Sequence, residues 1–261
     1  MVRSTSKFLF IILLILTHTT FTSAIVDPTM VLYLPFDEGS GKTAEDLSNF
    51  GNHATMKGGD KTKWADGKFK GGIELTSGGY LVVADADSLD LTNAMTIHMW
   101  AKLMVKTGEC CQGGVEKEPA WQAGEYNFLA EYNGGILLQM MELPDPCNDD
   151  LVGPGIIDKT WHHVGGTWDG KTIRIYLDGK EVGEMPCKGK LSKGSGDLFI
   201  GCRGGSGRWT EGFLDEIKIY NRPLLEEEIA ADMEDPKQNL AVSPKDKVST
   251  TWALVKKSIL E

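Results

Sequence analysis

The sequence predicts an all-β protein, built as a sandwich of two antiparallel sheets. Two Asp-Gly pairs, at 169–170 and 178–179, divide the stretch Thr160–Lys180 into strand-like segments. Gly adopts the positive φ of a tight hairpin turn without steric cost, so Asp-Gly pairs favour short links between antiparallel strands. The stretch is therefore predicted to form a meander with strands at Trp161–Trp168, at Thr172–Leu177 and from Lys180 onward.

The middle strand of this meander has the period of a sheet that is buried on one face. Ile173, Ile175 and Leu177 alternate with residues that carry polar groups. Successive side chains of a strand point to opposite faces, so these three apolar side chains share one face. This period, rather than composition, is the main evidence for strands.

The remaining strands are predicted to be short and separated by turns rich in Gly and Asn. Gly is abundant, with 31 residues in the chain. About twelve short strands at such spacing are typical of a β-sandwich. Two long loops are predicted at Lys106–Gly124 and Pro144–Gly155. The other strands are predicted at Val31–Phe36, Phe69–Leu75, Tyr80–Ala84, Met95–Met104, Tyr126–Tyr132, Ile136–Glu142, Asp197–Cys202 and Phe213–Tyr220.

Two helical segments are predicted after the last strand. Leu225–Met233 carries three Glu residues in its first turn, where the helix dipole favours negative charge. Ser243–Ile259 is a second helical segment, because Ser243 can cap it and its apolar residues form one stripe. The polar link between them ends the main domain near Pro236. We therefore predict a domain at 28–236 and a helical tail at 237–261.

The N-terminal segment Met1–Ala24 is predicted to be a secretory signal peptide. Arg3 and Lys7 give it a basic start, Phe8–Leu16 is an unbroken apolar run, and it ends in a small residue. Such a run is too short to span a bilayer. The chain is therefore expected to be secreted, periplasmic or at the cell surface, with a short membrane anchor as the alternative.

The charge of the chain excludes some classes of partner. The formal net charge is −10, and loss of the signal segment would remove two basic residues and no acid. An acidic surface repels nucleic acid and anionic lipid, but it is compatible with neutral ligands and divalent cations. No other apolar run reaches the length of a membrane span. We expect a saccharide or an extracellular protein as the partner, and neither nucleic acid nor a membrane span.

Three stretches of the sequence together resemble one family. They are Leu32–Gly59, Trp161–Gly183 and Phe213–Met233, the last two containing WHHVGGTWDGKTIRIYLDGKEVG and FLDEIKIYNRPLLEEEIAADM. They resemble the laminin-G-like jelly rolls of the concanavalin A-like lectin/glucanase superfamily. The resemblance implies two curved antiparallel sheets with the first and last strands side by side. It also implies a module that binds saccharides or protein surfaces, often with calcium. One departure is Leu225, which stands where the family usually has a capping Ser or Thr.

A calcium site is predicted at one end of the domain. Asp37 lies in an acidic turn after the first strand, and Asp46 and Asn52 lie on the next loop. Calcium prefers six to eight oxygen ligands from carboxylates and turn carbonyls. The adjacency of the first and last strands, which the resemblance implies, would bring Asp215 to the same edge. The alternative is that Asp37 and Asp46 cap turns.

The five Cys residues are expected to form disulfides in an oxidising compartment, with one thiol left over. Cys187 and Cys202 flank a turn region, and we predict that they pair. Cys147 would then pair with Cys110 or Cys111. The alternative is a Cys110–Cys111 bridge, with Cys147 free.

The sequence does not predict a catalytic site. The laminarinase-type hydrolases of the resembled superfamily carry Glu-x-Asp-x-x-Glu on one strand, which places their working carboxylates on one face. Here Asp215 and Glu216 are neighbours, so strand alternation would point them to opposite faces. We therefore predict a protein that is not an enzyme. A hydrolase built from loop residues remains an alternative.

Aromatic residues on loops are the candidate ligand contacts, because a sugar ring stacks on an aromatic face. Trp121, Tyr132 and Trp209 lie on or beside loops, whereas Trp161 and Trp168 lie within strands and are expected in the core. The prediction is a secreted, non-catalytic, lectin-like module for saccharide or cell-surface ligands, assisted by calcium. An adhesion or scaffold protein that binds other proteins, with the C-terminal helix as its docking piece, and an unusual glycoside hydrolase are the alternatives.

Overall fold

The computed structural model describes residues 26–108, 110–118, 121–144, 147 and 151–237. The predicted signal peptide and the predicted helix Ser243–Ile259 lie outside the described residues. Within these ranges no helix is long and apolar enough to cross a membrane.

The described chain forms fifteen strands and one α-helix. The early strands are β1 (Met30–Leu34), β2 (Thr43–Ala44), β3 (Ala54–Lys57), β4 (Thr62–Asp66), β5 (Gly71–Leu75), β6 (Tyr80–Val83) and β7 (Met95–Leu103). The later elements are β8 (Cys111–Lys117), β9 (Tyr126–Tyr132), β10 (Gly135–Gln139), β11 (His162–Trp168), β12 (Thr172–Leu177), β13 (Lys180–Pro186), β14 (Leu198–Ile200), β15 (Gly212–Tyr220) and the helix α1 (Glu226–Glu234).

The strands form two antiparallel sheets, which confirms the predicted sandwich. The first sheet runs β13-β12-β11-β7-β15-β5-β4, with β1 paired to β15 as an eighth strand. The second sheet runs β10-β9-β8-β14-β6-β3-β2. The pairing of β1 with β15 puts the first and last strands side by side, as the family resemblance implied. The arrangement is consistent with a jelly roll.

The hydrophobic core lies between the sheets and follows the strand period. Ile97 and Met99 of β7, Ile173 and Ile175 of β12, and Val83 of β6 are buried in it. Each such side chain contributes roughly 1.5–3 kcal/mol on burial. The alternation predicted for the middle strand of the meander is confirmed, because Ile173 and Ile175 face this core.

The hairpin turns of the meander are also confirmed. At the second turn, Asp178 has φ 49° and Gly179 has φ 76°, the left-handed values that a two-residue hairpin turn needs. At the first turn, the Oδ1 atom of Asp169 accepts hydrogen bonds from the backbone N–H groups of Lys171 (2.9 Å) and Thr172 (2.7 Å). Turn chemistry that is local in sequence was therefore sufficient to predict these links.

The edges of the first sheet are strands β13 and β4. Strand β13 is largely exposed and carries Glu181 and Glu184. Their carboxylates lie 3.6 Å and 3.5 Å from the Nε atom of Arg174 on β12. Strand β4 presents exposed Lys63 and Asp66. Both edges of this sheet therefore carry charge.

One predicted loop contains a strand. The stretch Lys106–Gly124 holds β8, which is buried along its whole length and pairs with β9 and β14. Its sequence, CQGGVEK, lacks the alternation of a typical strand and has one β-branched residue, Val115. Pairing with two neighbouring strands holds β8 in the sheet. Its own sequence therefore does not predict a strand.

The α-helix packs on the outer face of the first sheet through a buried polar network. The carboxylate of Asp232 accepts from Nε2 of His98 (3.1 Å), and the ammonium of Lys218 (3.0 Å) and the hydroxyl of Tyr220 (2.8 Å) complete its shell. Burial raises the pKa of Asp232, but the contacts with His98 and Lys218 outweigh it and hold this pKa well below its usual range. Burial lowers the pKa values of His98 and of its neighbour His163. Asp232 is thus a buried anion with three donors.

The helix begins without a Ser or Thr cap, as the sequence shows. The Oε2 atom of Glu228 instead accepts from the backbone N–H of Leu225, at 3.0 Å. The guanidinium of Arg222 holds this carboxylate in place, with a distance of 2.8 Å from Nη1 to Oε2. A carboxylate inside the first turn therefore replaces the missing cap.

The predicted cysteine pairing is wrong. The structure pairs Cys147 with Cys187 (Cα–Cα 5.0 Å) and Cys110 with Cys111 (Cα–Cα 3.8 Å), and Cys202 is a buried thiol. Cys187 follows β13 in the first sheet, whereas Cys202 follows β14 in the second sheet, so the two do not end adjacent strands. The predicted link from Cys147 to Cys110 or Cys111 is also wrong, because Cys147 pairs with Cys187 and the two adjacent cysteines pair with each other. The Cys110–Cys111 bridge had been the alternative.

Candidate ligand-binding face of the second sheet

The outer face of the second sheet carries a row of cross-strand neighbours. From β10 to β6 the row reads Gln139, Asn127, Glu116, Phe199 and Val82. Directly opposed residues share one face of a sheet. The row is polar on β10, β9 and β8 and apolar on β14 and β6. The polar end of the row is buried, whereas Phe199 and Val82 at the apolar end are partly exposed.

Arg203 is the central cation of this face. Its Nε atom donates to Oε1 of Glu116 (2.5 Å) and its Nη2 atom donates to Oε1 of Glu125 (2.9 Å). Both carboxylates are fully buried, whereas Trp121 is 61% exposed. The guanidinium carbon of Arg203 lies 4.5 Å from the centre of the Trp121 ring. The guanidinium is thus held between an exposed aromatic ring and two buried carboxylates, an arrangement that fixes all of these side chains.

The loop that carries Arg203 is attached to β8 on both sides. The backbone N–H of Gly201 donates to the carbonyl of Gly114 (2.9 Å), and that of Gly113 donates to the carbonyl of Arg208 (2.7 Å). Gly201 has φ 82°, a conformation that favours glycine. The loop therefore holds Arg203 over the sheet at a fixed height.

A second attachment fixes the loop that carries Trp121. The Oε2 atom of Glu142 accepts from the backbone N–H groups of Gly124 (3.1 Å) and Ser192 (2.7 Å). These hydrogen bonds join the loop before β9 to the loop after β13. Burial of Glu142 raises its pKa, but the bonds from Ser192 and Gly124 outweigh this and lower it.

Three buried acceptor oxygens on the second sheet have no hydrogen-bond donor among the described residues. They are Oε2 of Glu116, Oδ1 of Asn127 and Oε2 of Glu131. A buried polar atom without a partner costs about 1–3 kcal/mol. All three of these atoms are hydrogen-bond acceptors. Water, hydroxyl groups or ammonium groups are the chemistry that would satisfy them.

The pKa of Glu116 reflects its burial. Burial raises its pKa to about 7, although the charge and the hydrogen bond of Arg203 act in the opposite direction. Near neutral pH the carboxyl group is therefore divided between its charged and neutral forms. In the neutral form it is also a hydrogen-bond donor.

Comparison with known proteins identifies the family. Residues 75–230, more than half of the chain, match the model described as the concanavalin A-like lectin/glucanases superfamily. The chain belongs to this superfamily. A comparison with curated protein sequences found no match.

Solved structures of similar fold include binding domains of toxins and one domain of an arabinanase. The binding domain of Paraclostridial Mosquitocidal Protein 1 has a TM-score of 0.62 at 16% identity, covering 78% of this chain and 52% of that one. Domain 4 of AbnA, an extracellular arabinanase of Geobacillus stearothermophilus in complex with arabinotriose, has a TM-score of 0.61 at 17% identity, covering 78% and 97%. The binding domain of Botulinum neurotoxin DC in complex with rat synaptotagmin II has a TM-score of 0.61 at 11% identity, covering 79% and 51%. The chain spans about half the length of the toxin domains, and these identities support the fold alone.

The three aromatic residues predicted as ligand contacts all border the outer face of the second sheet of this superfamily member. Trp121 stacks on Arg203. Trp209 packs on Tyr80, with ring centres 5.9 Å apart, and Tyr80 stacks on Phe199 of the cross-strand row. Tyr132 packs with a small apolar cluster at the start of β8 that includes Cys111. The structure thus places them at separate points around one face.

One partly buried aromatic pair on the first sheet was not predicted. Trp161 was expected in the core, but it is only partly buried and lies 6.3 Å, centre to centre, from Phe213 on the first sheet. The Nζ atom of Lys102 lies 4.2 Å from the centre of the Phe213 ring. Trp168, in contrast, is fully buried, as expected. Trp161 precedes β11 rather than lying within it, and this one-residue shift at the strand end explains the error.

The predicted calcium ligands Asp46 and Asn52 have structural partners. The carboxylate of Asp46 accepts from the backbone N–H groups of Tyr33, Ser48 and Asn52, at 2.8–2.9 Å. The Nδ2 atom of Asn52 donates to the carbonyl of Val31, at 2.7 Å. Together they hold the loop between β2 and β3 against β1. This is the turn-capping role that was the alternative to a calcium site.

Asp37 and Asp215 are also engaged by other groups. The Oδ2 atom of Asp37 lies 2.9 Å from Nζ of Lys237, whereas Oδ2 of Asp215 accepts from the backbone N–H groups of Lys68 (2.8 Å) and Phe69 (2.9 Å). Burial raises the pKa of Asp215 to about 8. In the part of the chain that the structure describes, no group of three or more His, Cys, Asp or Glu residues is arranged to hold a metal. The residues predicted for calcium therefore do not fit a common site.

The expected orientation of Asp215 and Glu216 needs a correction. Strand β15 has an irregular register between Asp215 and Lys218, and Glu216 has φ 51°. This bulge brings both acids to the outer side of the first sheet, where Oε2 of Glu216 accepts from the Tyr33 hydroxyl at 2.5 Å. Simple alternation fails because a bulge inserts an extra residue into the strand. Both carboxylates are engaged inside the protein.

Proposed function

We propose that this chain is a secreted, non-catalytic, lectin-like module that binds a saccharide on the outer face of its second sheet. The observation that carries the proposal is the exposed ring of Trp121, which is held against the half-buried guanidinium of Arg203. A saccharide offers a complement to both groups: a C–H face that packs on an aromatic ring, and hydroxyl groups that accept from a guanidinium.

The face is suited to recognition because its groups are held in place before a ligand arrives. Arg203 is fixed by Glu116 and Glu125, and Trp121 is fixed by Arg203. Pre-organised side chains lose little conformational entropy on binding. The similarity in fold to domain 4 of AbnA, which was solved with arabinotriose, supports a saccharide as the ligand class.

The proposal is tested by a glycan array followed by calorimetry with the best saccharide. Trp121→Ala removes the exposed platform and is expected to weaken binding up to about tenfold, since an aromatic contact of this kind contributes roughly 0.5–1.5 kcal/mol. Phe50→Ala is the matched control, because Phe50 is an exposed aromatic residue (44%) outside this face. Equal loss in both variants, or no saccharide bound, would contradict the proposal. Capture of a protein ligand in place of a saccharide would favour the adhesion alternative.

Export and calcium are separate predictions. N-terminal sequencing of exported protein is expected to begin near Ile25, after the predicted signal segment. Calcium remains an implication of the family resemblance, with no ligand set at the predicted residues. A thermal midpoint that rises in calcium and falls in chelator would support it, whereas an unchanged midpoint would remove it.

A further inference from the structure

The structure contains two disulfides in different surroundings. Cys147–Cys187 joins residues with a sequence separation of 40, and each of its cysteines is only 1% exposed. Cys110–Cys111 joins neighbours in sequence, with Cys110 exposed and Cys111 fully buried. The first bridge is therefore enclosed by the protein, whereas the second is open to solvent on one side.

The Cys110–Cys111 bridge adds little to the stability of the fold. A disulfide stabilises a protein mainly by closing a loop of the unfolded chain, and the effect grows with the length of that loop. Two adjacent residues enclose no such loop. Stability therefore does not account for this bridge, and its exposed sulfur makes it the more reactive of the two.

The bridge lies where strand β8 begins, against the hairpin of β9 and β10. The carbonyl of Cys110 accepts from the backbone N–H of Asn133, in the turn of that hairpin, at 3.1 Å. Cys111 is the cross-strand neighbour of Tyr132 and packs in a small apolar cluster with side chains of β9 and β10. A change in the covalent ring of the two cysteines would therefore be transmitted to the hairpin.

The fifth cysteine, Cys202, is a buried thiol outside both bridges. Burial raises the pKa of this thiol to about 12. Because the thiolate is the form that attacks a disulfide, Cys202 does not compete in exchange reactions at neutral pH. Cys202 is therefore an internal reference, since an alkylating reagent reaches it only when the domain opens.

We propose that Cys110–Cys111 is a redox-active site whose substrate is an external dithiol, and that its reduction loosens the hairpin of β9 and β10. A thiolate of the dithiol attacks the exposed Sγ of Cys110, the S–S bond breaks, and Sγ of Cys111 leaves with the electron pair and takes a proton from water. The second thiolate of the dithiol then attacks its own partner sulfur in the mixed disulfide, and Cys110 leaves and is protonated. The dithiol becomes a disulfide, the two cysteines gain two electrons and two protons, and the reverse reaction with a disulfide oxidant closes the ring.

The first test is the order of reduction. The full chain is treated with dithiothreitol at neutral pH, free thiols are trapped with an alkylating reagent at successive times, and the peptides are mapped by mass spectrometry. Cys110 and Cys111 are expected to be labelled at a rate at least about tenfold higher than Cys147 and Cys187, because one of their sulfurs is open to attack. Cys202 should remain unlabelled. Equal rates for the two bridges, labelling of Cys202 together with Cys110, or labelling of Cys110 before any reductant is added would overturn the proposal.

The second test is the effect of reduction on the hairpin. Hydrogen exchange at the backbone N–H of Asn133 and its neighbours in β9 and β10 is expected to become about tenfold faster or more after selective reduction, with no change in β11 and β12. Cys110→Ser with Cys111→Ser should show the faster exchange with or without reductant. Cys202→Ala is the control, because it removes a thiol outside both bridges and should respond to reductant as the wild type does. Unchanged exchange at Asn133 after reduction would overturn the proposal.

The redox site is independent of the proposed saccharide site, although Tyr132 borders both. Neither test contains a saccharide, so failure of the lectin-like function would leave the expected results unchanged. Reduction that follows the expected order and loosens the hairpin would support the redox site whatever ligand the second sheet binds.

Discussion

The outer faces of the two sheets both bury charged groups, but they balance them differently. Under the α-helix of the first sheet, the carboxylate of Asp232 is surrounded by His98, Lys218 and Tyr220. On the second sheet, the guanidinium of Arg203 donates to both Glu116 and Glu125. The first face thus gathers donors around one anion, whereas on the second face one guanidinium is shared by two anions.

This difference separates a structural face from a candidate binding face. At Asp232 both carboxylate oxygens are engaged and the helix covers the site, so the network holds secondary structure together. The buried polar atoms near this network that have no hydrogen-bond partner among the described residues are two ring nitrogens, Nε1 of Trp100 and Nδ1 of His163. On the second sheet such atoms include carboxylate and amide oxygens near an exposed ring. Buried charge alone is therefore a poor guide to function, and the balance of donors and acceptors is a better one.

The largest effect is expected when the first network loses its anion. Asp232→Ala leaves Lys218 and His98 buried without their carboxylate, and it should lower the free energy of unfolding by about 3–5 kcal/mol. Urea unfolding followed by tryptophan fluorescence measures this change. Glu227→Ala is the control, because Glu227 is an exposed residue of the same helix. A similar, small change in both variants would show that the network does not hold the helix.

The next largest effect on stability is expected when the disulfide between the two sheets is removed. Cys187 follows an edge strand of the first sheet, and Cys147 follows β10, an edge strand of the second. Closing a loop with a sequence separation of 40 stabilises the fold by about 4 kcal/mol in the chain-entropy model. Replacing both residues with Ser should lower stability by this order. Peptide mapping under non-reducing conditions should find this pair, and a Cys187–Cys202 peptide would contradict the structure.

The raised pKa of Glu116 on the second sheet predicts that the stability of the fold depends on pH. The folded pKa of Glu116, about 7, lies above its unfolded value of about 4.5, so the folded state binds the proton more tightly. The wild type should therefore lose stability, relative to Glu116→Gln, as pH rises from about 4.5 to about 7. The relative loss is on the order of 3 kcal/mol. Unfolding curves of both proteins across this range measure it, and parallel pH profiles would show that Glu116 titrates normally.

The smallest effect is expected in catalysis. Each buried carboxylate of the second face accepts a hydrogen bond from Arg203, which leaves neither as a free acid or nucleophile at the surface. We expect no release of reducing sugar from β-glucans or arabinans. Turnover by the wild type that disappears in Glu116→Gln would show that the candidate binding face is an active site.

Local sequence patterns were sufficient for much of the fold. The turns at Asp169 and Asp178 and the alternation in β12 depend on neighbours in sequence, and the structure confirms them. Strand β8 was missed because its Gly-rich sequence forms a strand only between β9 and β14. The bulge at Glu216 was missed because alternation assumes one residue per position along a strand.

The candidate site was predictable only in outline. Trp121, Tyr132 and Trp209 were chosen for their place on loops, and they border one face of one sheet. Glu116, Glu125 and Arg203 were not foreseen, because they are distant in sequence and only the pairing of β8, β9 and β14 brings them together. The predicted cysteine pairs were wrong for the same reason, because the residues of a loop do not reveal which sheet the loop adjoins.

The charged edges of the first sheet have a consequence for crowding. A bare edge strand is a template on which another copy of the chain can add its own strand. On β13 the neighbours Glu181 and Glu184 surround Arg174, and on β4 the exposed Lys63 and Asp66 occupy the opposite edge. Strand addition would have to desolvate these charges. Copies of the domain at high local concentration should therefore not polymerise through these two edge strands.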